Sequence, residues 1–173
     1  MKIKCELDSY PCVLPNYIAQ FIVNASIMYS NTIDSHGNPR IQPIIFINEP
    51  GKCNLAFLAK KGSMIVSDIE KNSKIALTTD KTHPINPSLN TGIMIEAVSE
   101  RVSSQKEVEQ CFENLQNKYN IDIVSKILGI DIISSYIKIK AFPLKIVFWK
   151  GPFFKRFICK RKKEILNKTI SHL

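Results

Sequence analysis

Between Ser26 and Asp80, short apolar runs separated by turn-forming residues follow one another in a strict order, and the rest of the chain is arranged around them. S-I-M-Y-S-N-T-I (26–33) is β-branched and roughly alternating, D-S-H-G-N-P (34–39) is dense in turn formers, and R-I-Q-P-I-I-F-I (40–47) is a second strand. The pair reads as a hairpin. After a break at N-E-P-G-K (48–52), the apolar run C-N-L-A-F-L-A (53–59) gives a third strand. K-K-G-S (60–63) then opens a short helical pattern, M-I-V-S-D-I-E-K-N (64–72), and K-I-A-L-T-T-D (74–80) is the fourth strand. Pro43 cannot donate a ladder hydrogen bond, so its strand belongs at an edge or a bulge.

Ahead of this stretch, residues 1–12 show little periodicity. L-P-N-Y-I-A-Q-F-I-V-N (14–24) places Tyr17, Ile18, Phe21 and Ile22 on one helical face, with Pro15 suited to the first turn, and this helix is expected to pack over one end of a barrel. Beyond Asp80, residues 81–91 form the longest loop. His83 is its only obvious acid–base group, and a lone surface histidine is more often inert than catalytic. G-I-M-I-E-A-V-S-E-R-V (92–102) is a strand whose Glu96, Glu100 and Arg101 face solvent. Residues 104–118 form a helix with Val108, Cys111, Phe112 and Leu115 at helical spacing and a capping-box pattern at Ser104 and Glu107. A shorter helix over 121–130 ends near Gly129. S-Y-I-K-I-K-A (135–141) alternates, with Ile137 and Ile139 inward and the lysines outward, and its partner strand L-K-I-V-F-W (144–149) follows Phe142-Pro143. The sum is a mainly β, α+β chain with six or seven antiparallel strands, enough for a small barrel with flanking helices.

A chain of 173 residues with 45% apolar content forms one domain and buries a core without staples. Five scattered cysteines and three separated histidines indicate neither a disulfide framework nor a zinc site. No run approaches the roughly 18–20 apolar residues of a membrane span, and the first 25 residues lack a signal pattern, so a cytoplasmic location is expected. The sequence divides into a domain over 1–149 and a basic aromatic tail over 150–173. In that tail, eight basic residues (Lys150, Lys155, Arg156, Lys160, Arg161, Lys162, Lys163 and Lys168) against Glu164 supply +7 of the net +9. Two readings of the tail stand side by side. Phe153, Phe154, Phe157, Ile158, Ile165 and Leu166 form an apolar helix face packed on the domain, or the basic and aromatic residues engage an anionic surface such as lipid or nucleic acid.

Lys60-Lys61-Gly62-Ser63 also has two readings: a capped helix start with solvated lysines, or an anion site built on the free N–H groups and positive dipole end of the helix. The order of elements adds to this. The second strand with Gln42-Pro43, the apolar third strand ending at a G-S, the helix after it, K-I-A-L-T, the strand G-I-M-I-E-A-V-S-E-R-V and a closing F-W-K-G-P (148–152) together resemble the pyridoxamine 5′-phosphate oxidase-like family of FMN-binding split barrels, over roughly residues 26–157. The resemblance implies a homodimer with two FMN molecules in clefts between subunits, acting on a small-molecule redox substrate. By the same resemblance, Lys60, Lys61 and Ser63 hold the phosphate, Gln42, Pro43 and Ile44 line the ring, and Leu58 and Ala59 back it. Thr91, Gly92, Trp149 and Arg156 correspond to further positions around the cofactor. No residue is assigned as catalytic. The chain departs from the family at Ser63-Met64-Ile65, where S-R-K is common, and lacks an arginine-any-histidine element after Trp149. True pyridoxamine phosphate oxidation is therefore not expected. A relative using FMN for another reduction, or holding a deazaflavin or haem, fits better, and the alternative of a different class is a non-enzymatic module binding an anionic surface through its tail.

Overall fold

The computed structural model describes residues 3–7, 10–49, 54–128 and 133–158. The expected helix end at Gly129, Cys53, part of the 48–52 break and the tail beyond residue 158 lie outside them. Two strands precede the first helix: β1 (Ile3–Leu7) and β2 (Tyr10–Leu14) pair as a separate antiparallel hairpin, which the weak periodicity of 1–12 did not predict. Pro11 is tolerated in β2 because a two-stranded ribbon consists only of edges. Helix α1 (Asn16–Asn24) follows, and Pro15 stands just before its first turn rather than in it, its carbonyl accepting from the Ile18 and Ala19 N–H groups. Ile18 and Ile22 are buried on the inner face of α1.

The remaining strands form one antiparallel sheet curled into a half-barrel. They are β3 (Met28–Ile33), β4 (Pro39–Ile44), β5 (Ile47–Asn48), β6 (Leu55–Lys60), β7 (Lys74–Lys81), β8 (Thr91–Val102), β9 (Tyr136–Lys150) and β10 (Phe153–Ile158). Seven lie in the order β4-β3-β7-β8-β9-β6-β5, and β10 pairs with β9 off that path. Pro39 and Pro43 both sit on β4, the edge strand, as the missing N–H requires. The β3–β4 turn is closed by Gly37 at φ +85° and by Asp34, whose Oδ1 accepts from the His36 and Asn38 N–H groups at 2.8 and 2.9 Å.

Residues 135–141 and 144–149 do not pair with each other. They are the two halves of β9, a single 15-residue strand. Its register against β8 slips between Glu96 and Ala97: Glu96 faces Lys145 and Ala97 faces Pro143, leaving Leu144 as the extra residue of a bulge. One edge of β9 follows β8 throughout. The other is shared, with β6 taking residues 136–141 and β10 taking residues 145–150. The tail therefore enters the sheet: residues 153–158 form a strand and not the helix face expected for Phe153, Phe154 and Phe157.

Two apolar layers result. Inside the barrel, α1 and α2 (Met64–Lys71) pack Ile18, Ile22, Ile65 and Ile69 against Phe46, Phe57, Leu77 and Ile95. Outside β6 and the first half of β9, α3 (Gln105–Tyr119) and α4 (Ile121–Leu128) pack Val108, Cys111, Leu115 and Val124 against Ala56 and Leu58. β6 is thus covered on both faces, the reason its sequence is a continuous apolar run. The covering also corrects the outward lysines of 135–141. Lys138 is 6% exposed beneath α3, its Nζ 2.5 Å from Glu49 Oε1 and 3.3 Å from Glu107 Oε2. Burial by itself lowers the Lys138 pKa, and the two carboxylates outweigh it and raise the value above the ordinary lysine range. Glu107 is engaged with Lys138 and Lys140, and Ser104 makes no side-chain cap bond, so the capping box does not form. Glu100 and Arg101 are exposed as expected, Arg101 in an ion pair with Glu70, and half-exposed Glu96 pairs with Lys145.

Candidate functional site

The turn from β6 into α2 brings together the residues best suited to hold an anion. Ser63 N–H donates to the Lys60 carbonyl at 3.0 Å, and Gly62 occupies φ +74°, which glycine adopts without strain. Ser63 stands at the N-cap of α2 with no side-chain cap bond. Its Oγ is buried and has no hydrogen-bond partner among the described residues. The first helical bond runs from Ser67 N–H to the Ser63 carbonyl, so the N–H groups of Met64, Ile65 and Val66 have no acceptor within the helix. Lys60 is exposed and in no ion pair among the described residues. Lys61 is already engaged: its Nζ donates to the Ser134 carbonyl at 2.6 Å and its N–H to Ser135 at 2.8 Å. An unpartnered hydroxyl, free helical N–H groups and one available ammonium are the donor set a phosphate requires.

Gln42, Pro43 and Ile44 lie at the end of β4, opposite Ser30, Tyr29 and Met28. Only two residues separate β4 from β5, and β5 pairs with β6 through Ile47 opposite Ala56 and Asn48 opposite Leu55. Continued backward, that register sets Ile44 level with Ala59 and Pro43 level with Lys60. The two strands part there, so these segments flank the split where the barrel stays open. The parting is held by α3. Tyr119 Oη donates to the Phe46 carbonyl at 2.9 Å and accepts from Phe46 N–H at 3.3 Å, and Lys118 Nζ lies 3.7 Å from the Phe46 ring centroid. Burial pushes the Lys118 ammonium down to about 8 and the Tyr119 phenol up to about 12. Leu58 and Ala59 point to opposite faces, Leu58 under α3 and Ala59 into the barrel, and protein encloses both side chains.

A second group lies elsewhere. Gly92 pairs with Trp149, and a Cβ on Gly92 would fall inside the indole, so the ring rests directly on the glycine. Phe154 stands opposite Trp149, and Arg156, exposed, opposite Val147. Lys60 faces Tyr136 at the start of β9, whereas Gly92 faces Trp149 near its end. At about 3.3 Å per residue the two groups stand roughly 40 Å apart along the strand. Thr91 points to the opposite face from Gly92, into a cleft beside α1.

Sequence reasoning missed a polar network that anchors α2. Asp68, 2% exposed, accepts from Thr32 Oγ1 at 2.8 Å and from Arg40 at 3.0 Å, and Arg40 also pairs with Asp34. Asp34 is held down at about 2, chiefly by the Asn38 N–H bond. These partners are 28 or more residues from Asp68, beyond the reach of local periodicity. Among the described residues His83 forms no ion pair with a carboxylate: its Nδ1 accepts from Asn86 N–H at 3.0 Å and shapes the loop. No group of three or more metal-ligating side chains occurs among the described residues. No helix among them is long and apolar enough to cross a membrane.

A curled antiparallel sheet that parts between β4 and β6, with helices inside one end and outside the other, is the split barrel of the pyridoxamine 5′-phosphate oxidase-like proteins. Solved structures with this fold include a conserved hypothetical protein from Mycobacterium tuberculosis (TM-score 0.66, 13% identity, 80% of this chain and 86% of that one). They also include a protein related to general stress protein 26, of the pyridoxinephosphate oxidase family, from Clostridium acetobutylicum (TM-score 0.62, 15% identity, 82% and 92%). A third is a haem binding protein from Mycobacterium smegmatis (TM-score 0.64, 10% identity, 79% and 54%). No family model and no curated protein matches the sequence.

Proposed function

We propose that this chain is the subunit of a homodimeric FMN-binding oxidoreductase, acting on a small-molecule redox substrate other than pyridoxamine phosphate. The observation that carries the reading is the buried, unpartnered Ser63 Oγ at the start of α2, beside Lys60. A buried hydroxyl without a partner is costly, and a phosphate oxygen would satisfy it. Ser63, Lys60 and the first-turn N–H groups would hold the phosphate, and Gln42, Pro43 and Ile44 would line the ring along the split. Lys61, tied to Ser134, would shape the turn. Bound FMN supplies electron transfer, and the chain's residues bind and orient it.

The spacing along β9 supports a site made by two chains, because one chain cannot close Lys60 and Trp149 around the same flavin. An exposed apolar surface also supports a second chain. The outer sheet face is covered by α3 and α4 over β6 and the first half of β9, but over β4, β3 and β10 it leaves Ile41 66%, Tyr29 46%, Ile33 44% and Phe154 67% exposed. Apolar surface gathered on one sheet face marks an association site. Cytoplasmic location is part of the same reading.

The test compares FMN with riboflavin, which lacks the phosphate, by absorbance titration. FMN is expected to bind on the order of a hundredfold more tightly, and Ser63→Val with Lys60→Ala to remove most of that difference. Equal binding of FMN and riboflavin, or no flavin binding at all, would contradict the reading. A haem protein is the second reading, favoured by the fold shared with the haem binding protein, and a Soret band on haem addition without a flavin spectrum would select it.

A further inference from the structure

An open cleft of about 510 Å³ lies on the inner side of the sheet, where α1 meets the β9–β10 hairpin, and the flavin reading leaves it unused apart from Thr91 at its edge. Helix α1 supplies one wall through Tyr17 and Phe21, and the hairpin supplies the other through Phe148 and Phe153. Both α1 rings meet Phe148 edge-on, at centroid distances of 5.4 and 5.8 Å. Strand register sets two cations over this aromatic floor. Lys150 stands opposite both Thr91 and Phe153, and Lys155 stands opposite Phe148 with its Nζ 5.8 Å from the Tyr17 ring centroid. Neither lysine forms an ion pair among the described residues. Phe153 is 75% exposed, an apolar ring held open to solvent beside the two ammonium groups.

The size falls in the range of small-ligand sites, about 300–1,000 Å³. Aromatic faces alone would favour a cation, but two unpaired ammonium groups at the same mouth repel one and attract an anion. The ligand must also cover Phe153 and reach Phe148, which calls for a flat apolar body. We propose that this cleft binds a small aromatic anion, a carboxylate or sulfonate carried on one or two fused rings, at a site separate from the flavin. The anion pairs with Lys150 and Lys155 while the rings stack against Tyr17, Phe21 and Phe153.

The full-length protein is titrated with the fluorescent probe anilinonaphthalene sulfonate and with its uncharged counterpart, N-phenylnaphthylamine. Lys150→Gln with Lys155→Gln is expected to weaken the sulfonate roughly tenfold and leave the uncharged probe unchanged. Phe153→Ala weakens both. On the unmodified protein, naphthoate displaces the probe roughly tenfold better than naphthalenemethanol, a comparison that needs no variant to fold. Sulfonate binding unchanged in the double lysine variant, equal displacement by the two naphthalenes, or competitive displacement of the probe by FMN would each overturn the proposal.

Discussion

Trp149 rests on Gly92 so closely that the glycine is defined by what it lacks. Gly92→Ala places a methyl group where the indole lies, and overpacking of this kind costs about 1–3 kcal/mol. The expected outcome is a lower denaturation midpoint together with a changed Trp149 emission spectrum, Trp149 being the chain's single tryptophan. Unchanged emission would show that the ring lies elsewhere. Lys118 gives a second test at the same scale. Burial holds its folded pKa at about 8, below the ordinary lysine value of 10.5, so the fold binds this proton less tightly than the unfolded chain does. Below pH 8 both states are protonated and the cost of a buried ammonium is fully present. Between pH 8 and about 10.5 the unfolded chain keeps the proton that the folded one has released, and stability rises with pH. Relative to Lys118→Met, the unmodified protein should therefore gain in urea midpoint from pH 7 to pH 10. A constant difference would mean that Lys118 stays charged over the Phe46 ring.

Individual elements were legible wherever the cause of an element is local. The alternation of 26–33, the turn formers of 34–39, the helical spacing of 104–118 and the proline-marked edge strand became the elements expected from them, except that the strand read over 40–47 stops at Ile44 and resumes as β5 at the other end of the sheet. The failures have a common origin in distant partners. Phe142-Pro143 looks like a break because proline cannot donate, yet β8 runs alongside and absorbs the interruption as a bulge, so that two strands become one. Phe153 and Phe154 suit a helix face by spacing, but β9 offers them a free edge. Lys138 follows the outward phase of its strand and is buried because α3 lies over it. At the site, the Lys60–Ser63 turn could be read from four residues, whereas the failure of Ser63 to cap its helix could not, since that depends on where the hydroxyl points. The buried Lys138–Glu49 pair is expected to be costly to break from one side only. Glu49→Ala leaves the buried ammonium only Glu107, 3.3 Å away, and should destabilise by urea denaturation by less than the roughly 3–5 kcal/mol of a fully unpaired buried charge, whereas Glu49→Ala with Lys138→Met should recover much of the loss.

Considered as a whole, the molecule is unevenly clothed: α3 and α4 cover one half of the outer sheet surface, and the other half carries exposed apolar side chains with no element over it among the described residues. The split that the proposed flavin occupies and the Trp149 that would close over it are set apart by the length of β9, and a two-fold partner is the simplest means of joining them. Ile41→Asp with Tyr29→Asp should yield a folded monomer by light scattering that no longer retains FMN. A dimer that persists in this variant would move the interface elsewhere. The most direct measurement of the central claim, a flavin site shared between two chains, is complementation. One variant carries Lys60→Ala and Ser63→Val, the other Trp149→Ala, and each alone binds FMN poorly. If each site takes its phosphate end from one chain and Trp149 from the other, every mixed dimer contains one intact site. Random exchange of equal amounts should then restore about a quarter of the FMN sites of the unmodified protein. No recovery from dimers shown to have exchanged would place the whole site within one chain and contradict the account.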